Sequence, residues 1–572
     1  MTQKALVRLC NFLLFISSAR ARFALRRASF DIRLAQEKLL GEILRRNKGT
    51  EFGGEHGFAG ISGSEQYRSR VPLRDYDAFA DRISAIASGT GNALTAEPVL
   101  RLLPTSGSAA PTKHIPFTSY LKSRFQTAID AWLFDLFAAH PGLFSGKAYW
   151  QITPPARSPD TGASAALEGF EDDSEYLGPV ARLLSRFLLA VPPEVAQLCA
   201  IDDFRYATLL FLLRERDLAL ISVWNPSFLS LLLAPVRDWS GSLISDIEKG
   251  ALSLPGGGQL PPGLAARLRP DPARAAELSR LFAASPFSYE KIWPGLRLIS
   301  CWCDAAAAPQ AARLAALFPG VSVQPKGLIA TEAFVSLPLE GFTGHALAVN
   351  SHFFEFLPAG GASPKFAWEL AVGERYGVVV TNGAGLYRYR LHDIVEVTGF
   401  YNEIPLLKFI GKEDRVSDIA GEKISEQHAA RLLESLFRAA ELSPAFSLVA
   451  PEREGEETFY CLFAELDPAG EAAALRADLA GRFEKGLSEN FHYDYCRRLG
   501  QLGPARVFAI TKGLAGAAET YLACSAAAGR KLGGIKPPAL ENTMGWSSRF
   551  KGRYLPQGSG AGAAPVPAGG QR

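Results

Sequence analysis

Leu296-Arg-Leu-Ile-Ser-Cys301, Ala305-Ala-Ala-Ala-Pro-Gln-Ala-Ala-Arg-Leu-Ala-Ala-Leu317 and Val321-Ser-Val323 read in turn as strand, helix and strand. That alternation predicts an α/β sheet. On its amino side, residues 251–275 hold Pro255, Gly256 to Gly258, Pro261 and Pro262, a surface loop. Residues 180–250 read as mostly helical around one strand-like run, Leu218 to Val223. Helical periodicity also marks 118–139 through Leu121, Phe125, Ile129, Leu133 and Leu136. Residues 105–117 are small, polar and turn-rich, and 51–104 are mixed, punctuated by Pro72 and Pro98. Residues 1–50 read as helix, stopped by Gly49 and the Gly53-Gly54 pair.

On the carboxyl side, 335–416 is strand-rich: Ala346–Asn350, Phe353–Leu357, Tyr376–Thr381, Leu386–Arg390, Ile394–Thr398 and Leu406–Ile410. Gly411-Lys-Glu-Asp414 reads as a turn. Beyond it come a helix (Ser425–Ala440), strands (Phe446–Val449, Phe459–Leu466), a long helix (Gly470–Glu489), a strand (Ala505–Ala509) and a last helix. The expected class is therefore α/β. A large N-terminal domain of mixed sheets and helices spans 1–410, and a small C-terminal α+β domain spans 411–555. Residues 556–572, rich in Gly, Ala and Pro, are expected to be a disordered tail. No internal repeat is present.

The 572 residues are 48 % apolar and 21 % charged, which excludes disorder, collagen or coiled coil for the bulk. The 61 Lys+Arg and 58 Asp+Glu leave +3, too balanced for a nucleic-acid binder. Positive charge is dense at Arg20, Arg22, Arg26, Arg27 and Arg33, expected to be a solvated helix face before a membrane or RNA patch. Lys4 and Arg8 precede an apolar run, Asn11 to Ala19, that imitates a signal peptide but is too short to span a bilayer. An amphipathic helix continuing through Phe23, Leu25 and Phe30 is the competing reading. The seven cysteines (Cys10, Cys199, Cys301, Cys303, Cys461, Cys496 and Cys524) are thinly scattered. Neither a disulfide framework nor a zinc site is expected, and a cytoplasmic location fits.

Three stretches could carry chemistry. Thr105-Ser-Gly-Ser-Ala-Ala-Pro-Thr-Lys113 lies between an apolar run and a predicted helix. Backbone N–H groups, hydroxyls and a lysine there suit a triphosphate, and a plain Ser/Ala loop fits equally. Gly327-Leu-Ile-Ala-Thr331-Glu332 follows a strand, where a carboxylate beside a hydroxyl can hold Mg²⁺ against phosphate oxygens. Taken alone, Glu332 also reads as a solvated surface residue. In Gly385-Leu-Tyr387-Arg-Tyr389-Arg-Leu-His-Asp393, Tyr387, Tyr389 and Leu391 alternate with Arg388, Arg390 and His392. That is the period of a half-exposed strand, ended by a carboxylate that could take both ribose hydroxyls, or of an edge strand with cross-strand charge pairs. Gly421-Glu-Lys423-Ile424 flanks the domain boundary, and Lys536 sits in Gly533-Gly-Ile-Lys-Pro537. A mobile lysine can bring charge to a carboxylate–phosphate centre, though most lysines are merely solvated. No Gly-x-x-x-x-Gly-Lys-Ser/Thr, His-Glu-x-x-His or Gly-x-Ser-x-Gly occurs.

In this order, the stretches resemble the adenylate-forming superfamily of acyl-CoA synthetases, adenylation domains and luciferase. Within it the chain resembles the auxin-responsive-promoter family of acyl-acid amido synthetases, in a bacterial-type version. The likeness covers about residues 30–550. It rests on Trp293-Pro-Gly-Leu to Cys301-Trp-Cys-Asp304, Phe318-Pro-Gly-Val321, Gly327 to Glu332, Phe353-Phe-Glu-Phe-Leu-Pro358, Gly385 to Phe400 and Tyr495-Cys-Arg-Arg. Thr50-Glu-Phe-Gly53, Val71-Pro-Leu-Arg-Asp-Tyr76 and Val223-Trp-Asn-Pro226 also fit.

The resemblance implies a large adenylate-forming domain binding ATP and acid, a small mobile domain, and a two-step ligase using ATP and Mg²⁺. A carboxylic acid becomes an acyl-adenylate with loss of pyrophosphate, and an amine or amino acid then takes the acyl group. It further implies that Ser106, Gly107 and Ser108 form the phosphate loop. Ala330 and Thr331 lie near the α-phosphate, Glu332 is the Mg²⁺ ligand, and Phe353 or Phe354 is the aromatic beside the nucleotide. Asp393 binds ribose and Asp414 lies near the hinge. Lys423 and Lys536 are the small-domain lysines, with Lys536 the candidate for catalysing adenylation. Four positions bear on the family pattern. Ala109 and Pro111 stand where a hydroxyl and a glycine are usual, Leu328 replaces a tyrosine of plant members, and Lys113 keeps a basic residue. The acyl pocket is expected among residues 120–230. A monomer without membrane insertion or nucleic acid is expected. The competing readings are an acyl-thioester ligase and, from Ala109 and Pro111, a nucleotide-binding relative without turnover.

Overall fold

The computed structural model describes residues 2–89, 91–105, 113–151, 179–198, 200–261, 263–358, 361, 363–413, 416–417, 419–420, 422–455, 457–498, 501–511, 516–527 and 535–556. The chain divides into two compact units. One is Met1–Ile410 with Ala526–Ile535, the other Gly411–Ser525 with Lys536–Arg572.

The strand–helix–strand reading lands in the first unit. Strands Lys147–Trp150, Leu218–Ser222, Leu298–Cys301 and Ser322–Pro325 form a four-stranded sheet in that spatial order, parallel throughout. All five residues of Leu218–Ser222 are buried, as in a parallel strand covered on both faces. Helix Pro226–Leu233 starts where Asn225 accepts the Ser227 N–H at 3.0 Å. Helix Ala308–Leu317 leads back to the last strand after a short 3₁₀ turn over Ala305–Ala307.

A seven-stranded sheet follows, in the order Lys365–Phe366, Phe353–Pro358, Arg375–Thr381, Tyr389–Tyr401, Ile404–Lys412, His345–Leu347, Ser336–Pro338. The two strands expected at 386–390 and 394–398 are one strand with a bulge. Val379 pairs with Arg390 and Gly377 with Ile394, so Leu391, His392 and Asp393 face a single residue. His392 takes the left-handed backbone this needs, φ 58°. Arg388 is also left-handed (φ 50°), and the strand begins only after it.

Three further expectations are corrected. Residues 1–50 form two helices, Gln3–Ala28 and Ile32–Asn47, because Asp31 caps the second through the Leu34 N–H at 2.9 Å. Gly53 and Gly54 lie inside a short helix, Glu51–Glu55, rather than stopping one. In the turn-rich stretch at 105–117, Thr105 and residues 113–117 belong to an antiparallel strand pair, Val99–Thr105 with Lys113–Thr118, Thr105 opposite Lys113, and 106–112 lie outside the described residues. A strand, not a helix, therefore follows the small-residue loop. The helix comes next, Ser119–Ala139, capped by Thr118.

In the second unit, strands Ser447–Glu454, Glu457–Leu466, Arg506–Thr511 and Gly552–Tyr554 form a mixed four-stranded sheet. The long helix expected over 470–489 is two helices, Pro468–Arg476 and Leu479–Ser488. Asp478 breaks it by turning left-handed (φ 47°) and capping the Gly481 N–H. Gly411 and Lys412 extend strand Ile404–Lys412, so the turn expected there starts later. Asp414 and residues 557–572 of the expected tail lie outside the described residues.

Candidate active site

Parallel strands put all their carboxyl ends on one edge, where open α/β sheets bind ligands. Trp150, Ser222, Cys301 and Pro325 end the four strands, and Trp224, Trp302 and Lys326 follow directly or after one residue. Lys326 is 9 % exposed, and its Nζ donates to Ser222 Oγ at 2.8 Å. The same nitrogen lies 5.1, 5.7 and 5.3 Å from the ring centres of Trp132, Trp150 and Trp224, within cation–π range of all three. Its backbone is fixed by the Lys326 N–H to Cys301 carbonyl bond at 2.7 Å. Trp132 is held by its Nε1–H donating to Gln324 Oε1 at 2.9 Å.

Lys326 and the three tryptophans line one cavity. Phe125 and Ile129 come from helix Ser119–Ala139, and Gly327, Ile329, Phe334 and Pro338 close the other side. The wall is apolar except for one ammonium, a setting suited to an apolar body carrying one anionic group. Beside it, Cys301 Sγ and Cys303 Sγ lie 3.8 Å apart. That contact and burial push the Cys301 thiol up, against the pull of Lys326.

The Gly327–Glu332 stretch makes a tight reversal at the cavity rim. Ile329 and Phe334, both cavity walls, bridge antiparallel, and the Ala330 N–H donates to the Ala333 carbonyl at 2.9 Å. Thr331 and Glu332 form the tip. Gly327 is obligatory, since a Cβ there would meet the Ser336 carbonyl oxygen at 1.9 Å. Asn382 Nδ2 donates to the Glu332 carbonyl at 2.8 Å. Ala330 and Thr331 are half-buried, and Glu332 is buried.

Asp393 is buried in the bulge. Burial pushes the Tyr389 phenol well up, and the charges of Glu332, Asp75 and Asp393 add to the effect. The structure thus gathers Glu332 and Asp393 around one tyrosine. Asp75 is tied in by His392 Nε2 at 2.8 Å. The alternation at 387–392 misleads in one place. Arg388 is buried, not solvent-facing, and binds Glu355 through two bonds of 2.8 and 2.9 Å. Its Nη1 also donates to the Val71 carbonyl at 2.6 Å.

Other expected site residues lie elsewhere. Phe353 is 1 % exposed and packs between Tyr67 and Phe366 at ring distances of 6.0 and 6.2 Å. Phe354 is equally buried, its N–H donating to Gln36 Oε1. Both rings belong to the core, because both faces of strand Phe353–Pro358 are covered and its first four residues are all buried. Lys113 is half-buried, 5.7 Å from the Tyr76 ring centre. Lys423 and Lys536 belong to the second unit. Lys423 is exposed with φ 45°, its carbonyl taking a bond from Asn490, and Lys536 is half-buried. Ser106, Gly107, Ser108, Ala109 and Pro111 lie outside the described residues. Sequence reasoning missed Lys326, Trp132 and Trp150. The one available signal was a lysine and tryptophans placed just where strand-like runs end.

Comparison with known proteins places this geometry. An acyl acid amido synthetase structure, GH3.15 in complex with 2,4-DB, superposes with a TM-score of 0.79 at 20 % identity, covering 92 % of this chain and 94 % of that one. The fold is therefore shared. Indole-3-acetic acid-amido synthetase GH3.8 of Oryza sativa subsp. indica is 28 % identical over 428 residues, 70 % of this chain and 69 % of the relative. GH3.2 of Arabidopsis thaliana, of the same description, is 26 % identical over 435 residues, 70 % and 78 % of the two chains. Residues 24–323 match the GH3 family N-terminal domain and 345–412 the GH3 family central domain, the two stretches that build the parallel sheet and most of the seven-stranded one. The chain belongs to the GH3 family.

Proposed function

We propose that this chain is an ATP-dependent acyl-acid amido synthetase. The observation that carries the reading is the cavity at the sheet edge, whose wall turns at Ile329–Phe334 to carry Thr331 and Glu332 at its tip. An acid seated there has its carboxylate at the boundary between an apolar pocket and a polar turn. Lys326 attracts that carboxylate, and the tryptophans exclude water around its body.

In the first half-reaction a carboxylate oxygen attacks the α-phosphorus of ATP. The bond to the β-phosphate oxygen breaks, and pyrophosphate leaves. In the second, an amine nitrogen, supplied by an amino acid, attacks the acyl carbon. AMP leaves as the carbon–oxygen bond breaks, and the nitrogen loses a proton. Ser106, Gly107 and Ser108 bind phosphate oxygens, Ala330 packs against the nucleotide, Thr331 orients the α-phosphate, and Asp393 accepts from the ribose hydroxyls. Lys536 supplies positive charge during adenylation and Lys423 during transfer. Glu332 is the protein's ligand for Mg²⁺. Among the described residues no cluster of three or more ligating side chains stands ready for a metal. That donor set fits an ion that takes most of its ligands from phosphate oxygens and water. When bound, Mg²⁺ neutralises the charge that two approaching anions would otherwise set against each other. The six described cysteines are free thiols, which suits a monomer working in a reducing, ATP-rich cytoplasm.

The test is ATP–pyrophosphate exchange with a carboxylic-acid library, followed by amino acids or CoA offered separately. Exchange dependent on acid, lowered about 100-fold in Lys536→Ala with folding unchanged, is the expected result. Turnover with CoA and not with any amine would replace this reading by thioester formation. Absence of exchange with every acid would overturn it.

A further inference from the structure

Helix Gln3–Ala28 has two apolar faces, and the fold uses one. Val7, Cys10, Leu14 and Leu25 are buried, Phe15 stacks on Phe134 at 4.4 Å, and Asn11 Nδ2 donates to the Leu143 and Gly146 carbonyls. At 100° per residue, Leu9, Phe12, Leu13, Ile16 and Phe23 fall within an arc of about 100° on the far side. They are 46, 49, 46, 53 and 59 % exposed. Phe30 and Leu34, just past the helix, are 62 and 64 % exposed.

This apolar face is set in positive charge. Arg20 and Arg27 lie in the same arc, Arg26 lies about 40° outside it, and all three are exposed. Residues 1–33 carry Lys4, Arg8, Arg20, Arg22, Arg26, Arg27 and Arg33 against Asp31 alone, a net +6 in a chain whose total is +3. Arg22 is spent on the fold, bound to Asp135 at 2.9 Å, and Lys4 is paired with Asp217. Among the described residues no ion pair or side-chain hydrogen bond engages Arg20, Arg26 or Arg27, and all three side chains are exposed.

We propose that this face docks the protein on the surface of an anionic phospholipid bilayer. Phe12, Leu13, Ile16 and Phe23 enter the boundary between headgroups and acyl chains, and Arg20, Arg26 and Arg27 meet the lipid charges. The helix lies in the interface and does not span. No described helix is long and apolar enough to cross a membrane. A second copy is the competing occupant. A two-fold contact centred between Arg20 and Arg27 would set these cations against those of the other copy, which like-charge repulsion opposes.

Co-sedimentation of the full chain with vesicles tests this. Binding to phosphatidylcholine vesicles containing about 30 % phosphatidylserine is expected, at least about tenfold stronger than to phosphatidylcholine alone and weakened by salt. Phe12→Glu with Ile16→Glu abolishes binding. Arg20→Glu with Arg27→Glu lowers it at least about tenfold and removes its salt dependence. These side chains are exposed, so the thermal melt of both double variants stays at the native value. Failure of the native chain to sediment with either vesicle overturns the proposal, as does equal sedimentation of native and Phe12→Glu/Ile16→Glu proteins. Concentration-dependent dimerisation, lost in the same variants and unaccompanied by lipid binding, also overturns it and assigns the face to a second copy.

Discussion

Each of the two main sheets of the first unit buries a cation, and the two are held in different ways. Arg388 of the seven-stranded region is 4 % exposed, clamped by both oxygens of Glu355 and by backbone carbonyls. Lys326 at the edge of the parallel sheet is about as buried, yet it rests on three indole faces and one hydroxyl, and it lines a cavity. A guanidinium in a planar, bidentate clamp offers a ligand little and fixes geometry. An ammonium on aromatic faces stays directional toward whatever enters the space beside it. The comparison separates a charge locked into the scaffold from one that lines a cavity.

The largest effect should come from breaking the clamp. Glu355→Ala leaves Arg388 buried beside a hole, and a loss of about 3–5 kcal/mol in denaturant titration is expected. A loss under about 1 kcal/mol would mean that the carbonyls alone satisfy Arg388. Lys326→Met should do the reverse. A thioether packs well against indoles, so stability should change by less than about 1 kcal/mol. The acid KM should rise about tenfold, equivalent to about 1.4 kcal/mol, with the ATP KM unchanged. An unchanged acid KM would remove the cavity from the acid's path.

The smallest effect concerns His352, which joins the two regions. Its Nε2 accepts the N–H of the cavity residue Phe334 at 3.1 Å. Burial, helped by Arg124, pushes its pKa down to about 3. The imidazole is neutral in the fold, while the unfolded chain takes up a proton below about pH 6.5. Stability from this group is therefore complete above about pH 6.5 and is lost as pH falls toward 3. His352→Gln keeps an acceptor without titrating. Relative to its value at pH 8, the native chain should lose about 1 kcal/mol more than this variant by about pH 5.5. Parallel pH profiles would show that His352 is protonated alike in both states.

Much of the scaffold was legible because its signals are local. The run from Leu298 to Pro325 keeps its apolar spacing over a few residues per element, and Gly327 to Glu332 is one continuous turn. Legibility failed where a single backbone angle or a distant partner decides. Asp478 breaks a helix whose apolar period continues through it, because its side chain caps Gly481. Arg388 looked exposed by alternation, but its left-handed backbone and Glu355, 33 residues earlier, turn it inward. Phe353 reads as a ligand-facing aromatic from its motif, and packing against Tyr67 and Phe366 buries it.

The sequence by itself determined the α/β class, the order of the motifs and the family likeness, since these depend on neighbours a few residues apart. It also carried the second apolar face of the first helix, though not which face would stay outside. Tertiary structure alone decided that choice, by packing Phe15 against Phe134 and leaving Phe12 and Ile16 to solvent. It alone decided the cavity as well. Trp132, Trp150, Trp224 and Lys326 are spread over nearly 200 residues and meet only when parallel strands align their carboxyl ends and helix Ser119–Ala139 brings Trp132 to them. Spacing along a chain encodes local periodicity, whereas a binding site depends on which distant residues the sheet brings within a few ångströms.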